Sequence, residues 1–110
     1  MEITANESDG VWVIQFQGAL DGQTSPVAQA RLVELIKQGA TKMLIDFERL
    51  SFISSAGLRV LLVTAKELQH VQGAVRIFGA NESVLEVFEI SGFSTIIPLA
   101  DNRSEALEGI

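Results

Sequence analysis

Ser54-Ser55-Ala56-Gly57 stands directly before a run in which Leu58, Leu61, Leu62, Ala65 and Leu68 recur at helical spacing. The start of a helix presents unpaired N–H groups and about half a positive charge. A serine there can cap the helix, and a phosphate carried on it would meet the same donors. The small residues Ala56 and Gly57 leave room for another protein to reach the backbone. Ser54 or Ser55 can serve as the cap, and capping alone is sufficient reason for a serine at this place. Asp21 is the second candidate. It follows a β-rich run and precedes a helix start, where a carboxylate can orient a hydroxyl or pair with an arginine of a partner; Asp21-Gly22 is equally ordinary turn chemistry. Asp46 interrupts an apolar strand, and a buried carboxylate needs donors, so backbone N–H groups of the following segment are its expected partners.

Enzyme chemistry finds little to work with. The chain contains one His and no Cys, which excludes a multi-histidine metal centre, zinc-thiolate sites, thiol nucleophiles and disulfides. A serine triad would need His70, yet Ser55 and His70 sit at opposite ends of one predicted helix, on the order of 22 Å apart at 1.5 Å per residue. Gly79-Ala80-Asn81 is too sparse for a phosphate-cradling glycine loop. Asp21 and Asp46 could form a carboxylate pair, but no cleft for them is indicated. His70 reads as a solvated residue near a helix end. No cofactor and no metal are expected.

Composition narrows the class further. The 110 residues carry 8 Lys+Arg against 14 Asp+Glu, a net charge of −6, so the chain lacks the basic balance that phosphate-backbone binding requires. The 47% hydrophobic fraction and 20% charged residues describe an ordinary folded domain with its own core. The first residues, Met1 to Glu7, show neither a basic stretch nor an apolar one, and no run is long enough to span a bilayer. A cytoplasmic protein is expected, monomeric, without nucleic acid or membrane insertion.

The elements that must position these residues alternate. Ile3 to Ser8 and Gly10 to Gly18 form a hairpin around Asp9-Gly10, with Trp12, Ile14 and Phe16 on one face and Val11 and Val13 on the other. Ser25 as cap and Pro26 as first helical residue open a helix with Ala28, Leu32, Leu35 and Ile36 inward, stopped at Gly39. Met43 to Phe47 is a short buried strand, and the helix after Ser54-Ser55 stops at Gly73. Ala74 to Phe78 is a strand, and Asn81 caps a third helix that ends at Gly92. Thr95-Ile96-Ile97 reads as a last strand ended by Pro98, and Asp101 as the cap of a short C-terminal helix carrying Ala106, Leu107 and Ile110. The expectation is one α/β domain over residues 1–110, a mixed sheet of four to five strands with helices mainly on one side. In such a sheet the loops at the carboxyl ends of the parallel strands share an edge, where ligands and partners bind. Those loops are Gly18 to Asp21, Phe52 to Gly57 and Gly79 to Asn81.

The segment Phe47-Glu48-Arg49-Leu50-Ser51-Phe52-Ile53-Ser54-Ser55-Ala56-Gly57-Leu58-Arg59-Val60-Leu61-Leu62 resembles the STAS domains of anti-sigma factor antagonists. In that family a strand ends in an acidic residue, and a short linker leads to Asp/Ser-Ser-Ser/Thr/Ala-Gly-Leu at a helix start. Gly18-Ala19-Leu20-Asp21 is similar to the family's Gly-Glu-Leu-Asp, and Ile90-Ser91-Gly92-Phe93 to its Ser-Gly-Leu/Phe, so the likeness runs along nearly the whole chain.

The resemblance implies a binding module, not an enzyme, working by partner switching. Its partners would be a serine-kinase anti-sigma factor, which phosphorylates one serine with ATP, and a PPM-type phosphatase, which removes the phosphate. By position the acceptor is Ser55, and Asp21, Ser54, Ala56, Gly57 and Leu58 would belong to the partner-binding edge. Ser54 stands where the family often has Asp, and Ala19 where it has Glu; both changes remove negative charge from that edge. The alternative is a STAS module regulating another complex, such as a lipid transporter or a stress-sensing assembly; a small hydrolase is a third class.

Overall fold

A computed structural model describes residues 1–110. Strands β1 (Glu2–Ser8) and β2 (Val11–Leu20) pair antiparallel, and the turn between them places Asp9 and Gly10 at φ of 53° and 82°. Two successive positive φ values match the right-handed twist of the flanking strands, which is why Asp-Gly suits this hairpin. Strands β3 (Lys42–Ile53), β4 (Ala74–Phe78) and β5 (Leu99–Ala100) then add in parallel, so the sheet runs β1-β2-β3-β4-β5 in chain order. Helices α1 (Ser25–Lys37), α2 (Ser55–His70) and α3 (Glu82–Ser91) supply the crossovers, and α4 (Arg103–Glu108) ends the chain.

The main core forms where α1, α2 and α3 cover one face of the sheet. It takes Ala28, Leu32, Leu35 and Ile36 from α1, Leu58, Val60, Leu61 and Leu68 from α2, and Val84 and Phe88 from α3. Phe47 lies at its centre, edge-on to Phe16 at 5.6 Å and to Phe88 at 6.4 Å between ring centroids. This arrangement suits the ring quadrupoles and locks β2, β3 and α3 together. On the opposite face α4 buries Ala106 against Leu44, Phe78 and Ala100, with Val11, Val13 and Ile110 beside them. The alternation along β2 expected from Trp12, Ile14 and Phe16 against Val11 and Val13 is the alternation between these two cores.

Several element boundaries differ from those the sequence predicts; β2, for one, stays paired with β3 through Leu20 instead of ending at Gly18. Strand β3 continues to Ile53 instead of ending at Phe47, because two extra residues are absorbed in irregularities facing Gln15–Gln17 and Gly18–Ala19 of β2. Helix α1 follows Thr24, so Ser25 is its first residue and not its cap; the Thr24 hydroxyl caps nothing, because it donates to the Ala19 carbonyl and accepts from the Asp21 N–H. Thr95-Ile96-Ile97 is no strand. Gly92 in the left-handed region leads into a 3-10 turn, Phe93–Thr95, and pairing with β4 begins at the Pro98 carbonyl, which accepts from the Ile77 N–H at 3.1 Å, with Leu99 opposite Ile77. The last helix is capped by Asn102, whose side chain accepts from the Glu105 N–H at 2.9 Å, rather than by Asp101.

Candidate functional site

The carboxyl ends of β2 and β3 lie side by side, with Leu20 opposite Ile53. The ladder closes with one further bond, from the Ser54 N–H to the Leu20 carbonyl at 2.9 Å. That bond brings the residues after Leu20 and after Ser54, namely Asp21 and Ser55, to one corner of the edge. Ser54 is extended, at φ −101° and ψ 176°, and its hydroxyl accepts from the Gly57 N–H at 3.3 Å while its carbonyl receives the Leu58 N–H at 3.0 Å. Ser54 is therefore the cap of α2. Ser55 is the first helical residue. It is exposed, and no hydrogen bond engages its hydroxyl.

Ala56 is half-buried, while Gly57 and Leu58 are buried, Leu58 within the main core. Gly57 packs so closely on Leu20 and Ile53 that no side chain fits between them. Thus Ser54, Gly57 and Leu58 hold the start of α2 in place, and Ser55 and Ala56 are the parts of the motif that face outward.

Asp21 is tied into its own loop. One carboxylate oxygen, Oδ1, accepts from the N–H groups of Thr24 at 3.1 Å and Gln23 at 2.9 Å. The recorded bonds leave Oδ2 open to a partner. The hydrogen bond from the Thr24 N–H, then that from Gln23, hold the Asp21 carboxyl below its ordinary range. A carboxyl whose pKa falls on folding stabilises the fold above its unfolded pKa and loses that contribution as pH falls through the folded value. Asp21→Asn should accordingly have a lower Tm than the wild type at pH 7, and the gap should narrow as pH falls below about 4. Thermal melts at pH 7 and pH 3 check this; an identical gap at both would show that the charge on Asp21 contributes nothing to the fold.

The remaining sequence candidates fall elsewhere. Asp46 is 8% exposed and accepts from the Glu48 N–H at 2.8 Å, inside the irregular part of β3. The carboxylate thus serves the backbone of its own strand, a structural role. His70 is exposed at the far end of α2, and no group of three or more His, Asp or Glu side chains is arranged to hold a metal ion.

Two features of the edge escaped sequence reading. A groove of about 550 Å³ runs between α1 and α2, lined by Gly22, Ser25, Pro26, Ala56, Arg59 and Val60 among others. Phe52, 51% exposed, stands two residues before Ser54. The alternation of β3 breaks just there, so its exposure could not be read from the pattern; Arg59, four residues after Ser55, lies off the apolar stripe of α2 and is outward as helical spacing predicts.

Comparison with known proteins gives a consistent picture. The STAS domain model matches residues 2–106. The chain is 39% identical over 106 residues to BtrV of Bordetella bronchiseptica, named as an anti-sigma factor antagonist, covering 96% of this chain and 91% of that one. It is 30% identical to the anti-sigma-B factor antagonist of Listeria monocytogenes, over 96% of this chain and 91% of the relative. The anti-sigma factor antagonist SpoIIAA superposes in its unphosphorylated form with a TM-score of 0.73 at 25% identity, covering 98% of this chain and 96% of that chain. SpoIIAA of Bacillus in its phosphorylated form gives 0.73 at 28% identity, covering 97% of each chain.

Proposed function

The chain belongs to the STAS domain family, and from that premise we propose that it is an anti-sigma factor antagonist switched by phosphorylation of Ser55. In this reading the unphosphorylated protein binds a serine-kinase anti-sigma factor through the edge formed by Asp21, Ser54, Ser55, Ala56 and the start of α2. Transfer of the γ-phosphoryl group of ATP to Ser55 Oγ releases it, and a PPM-type phosphatase restores the binding form. The protein itself catalyses nothing. It acts in the cytoplasm; no helix is long and apolar enough to cross a membrane.

The observation that carries the reading is the division of labour between adjacent serines. The Ser54 hydroxyl is engaged as a cap, and the Ser55 hydroxyl is exposed and unengaged at the positive end of a 16-residue helix. A kinase can take up Ser55 without undoing any bond of the fold, whereas modifying Ser54 would cost the cap. That relatives bear the name anti-sigma factor antagonist, and that SpoIIAA exists in both phosphorylation forms, supports the same reading. Incubation with the cognate kinase and ATP, followed by fragment mass spectrometry, should place the phosphate on Ser55. Phosphate confined to Ser54, Ser51 or Thr24 would overturn the assignment.

A further inference from the structure

Arg59 is exposed on α2, one helical turn after Ser55, and no hydrogen bond or ion pair engages its guanidinium. Residues four apart on a helix are neighbours, and helical side chains lean toward the N-terminus. The long side chain of Arg59 therefore covers the turn that Ser55 opens, where it lines the groove beside Ala56. The α1 residues across that groove, Ser25, Pro26, Gln29, Ala30 and Val33, carry no charge. Asp21 is the acidic group at this corner, and its recorded bonds stay within its own loop. Glu48, packed on Gly79, and Glu82, at the start of α3, lie toward the β4 side of the edge. A cation without a counter-ion thus stands within reach of an unmodified hydroxyl.

We infer that Arg59 is the internal counter-ion of a phosphate on Ser55, an ion pair that exists only in the phosphorylated state. The inference rests on the reading of Ser55 as acceptor. Guanidinium matches phosphate in a two-pronged geometry, which a lysine ammonium does not reproduce. Pairing gives phosphorylation two effects at the edge. It adds about −1.5 to −2 charges at Ser55, and it removes the free positive charge of Arg59 from the groove that a partner would meet.

The pairing is read from the phosphate itself. With phosphoserine installed at position 55 during translation, the test does not depend on any kinase, so its failure is distinct from failure of the phosphorylation reading. A 31P NMR pH titration follows the second ionisation of the phosphate, ordinarily near pH 6. A neighbouring cation favours the dianion. Arg59→Gln should raise this pKa by roughly 0.3 to 1 unit over the unsubstituted phosphoprotein, and Arg59→Lys should give a smaller rise. Asp21 and the glutamates are common to all three proteins and cancel in the comparison. Because Arg59 is exposed, both variants should keep the wild-type melting behaviour before modification, and a merely structural Arg59 would not move the phosphate titration. Titrations coinciding within about 0.1 unit for all three proteins would overturn the proposal.

Discussion

Ser55→Asp is expected to weaken the complex with the anti-sigma partner by at least about tenfold, while Ser55→Ala stays within a few-fold of the wild type. Because the α2 cap is Ser54, neither change removes it. An aspartate in the first turn interacts favourably with the helix dipole, so the Asp variant should be at least as stable as the wild type. Loss of binding by a protein of undiminished stability then reports the charge at the edge. Ser54→Ala supplies the opposite pattern. It removes the acceptor of the Gly57 N–H and should cost about 1 kcal/mol, several degrees in Tm for a chain of this size, without adding charge. Isothermal titration of the three variants beside thermal melts separates the two effects. Equal affinity of wild type, Ser55→Asp and Ser55-phosphorylated protein would sink the switch, whatever the melts show.

That separation could not be made from the sequence, where two adjacent hydroxyls precede the helix and either can cap. What decides between them is tertiary. The Ser54 N–H is pinned to the Leu20 carbonyl on a neighbouring strand, which keeps Ser54 extended and delivers Ser55 into the first turn. The same contrast runs through the fold. Asn81 and Gly92 bound α3 as expected, since a cap and a left-handed stop are local devices. Asp9-Gly10 made the hairpin for the same reason. Ser25 is no cap because its hydroxyl donates to the Asp21 carbonyl within the loop, and α1 begins one residue earlier than a Ser25 cap would set. The apolar pattern of β3 stops at Phe47 because the extra residues beyond it break the period of two, and β5, at two residues, is too short to carry a pattern. The edge where Asp21 and Ser55 meet followed from parallel-sheet topology; the groove beside it needs the packing of α1 on α2, which no local signal records.

Gly57→Ala is expected to destabilise the protein by about 1–3 kcal/mol, although alanine is the better helix former by about 1 kcal/mol. A Cβ at this position would lie 2.7 Å from the Leu20 carbonyl oxygen, 2.8 Å from Ile53 Cγ1 and 2.9 Å from Leu20 Cγ. A flexible side-chain end could move aside, but the Leu20 oxygen is backbone and already holds the Ser54 N–H. Relief therefore requires the first turn of α2 to lift from β2, which carries Ser55 away from Asp21. Gly22→Ala is the control: it lies on the same groove with nothing within 4 Å of the added carbon, and it should change stability by no more than about 0.5 kcal/mol. Urea unfolding gives both values, and the rate of Ser55 phosphorylation under native conditions should fall for Gly57→Ala and hold for Gly22→Ala. A Gly57→Ala protein as stable as the wild type and phosphorylated at the same rate would show that close packing on Leu20 does not position the acceptor. The expected result makes one glycine the joint between sheet and switch: its missing side chain lets the helix seat on the strand end, and that seat sets where Ser55 is presented.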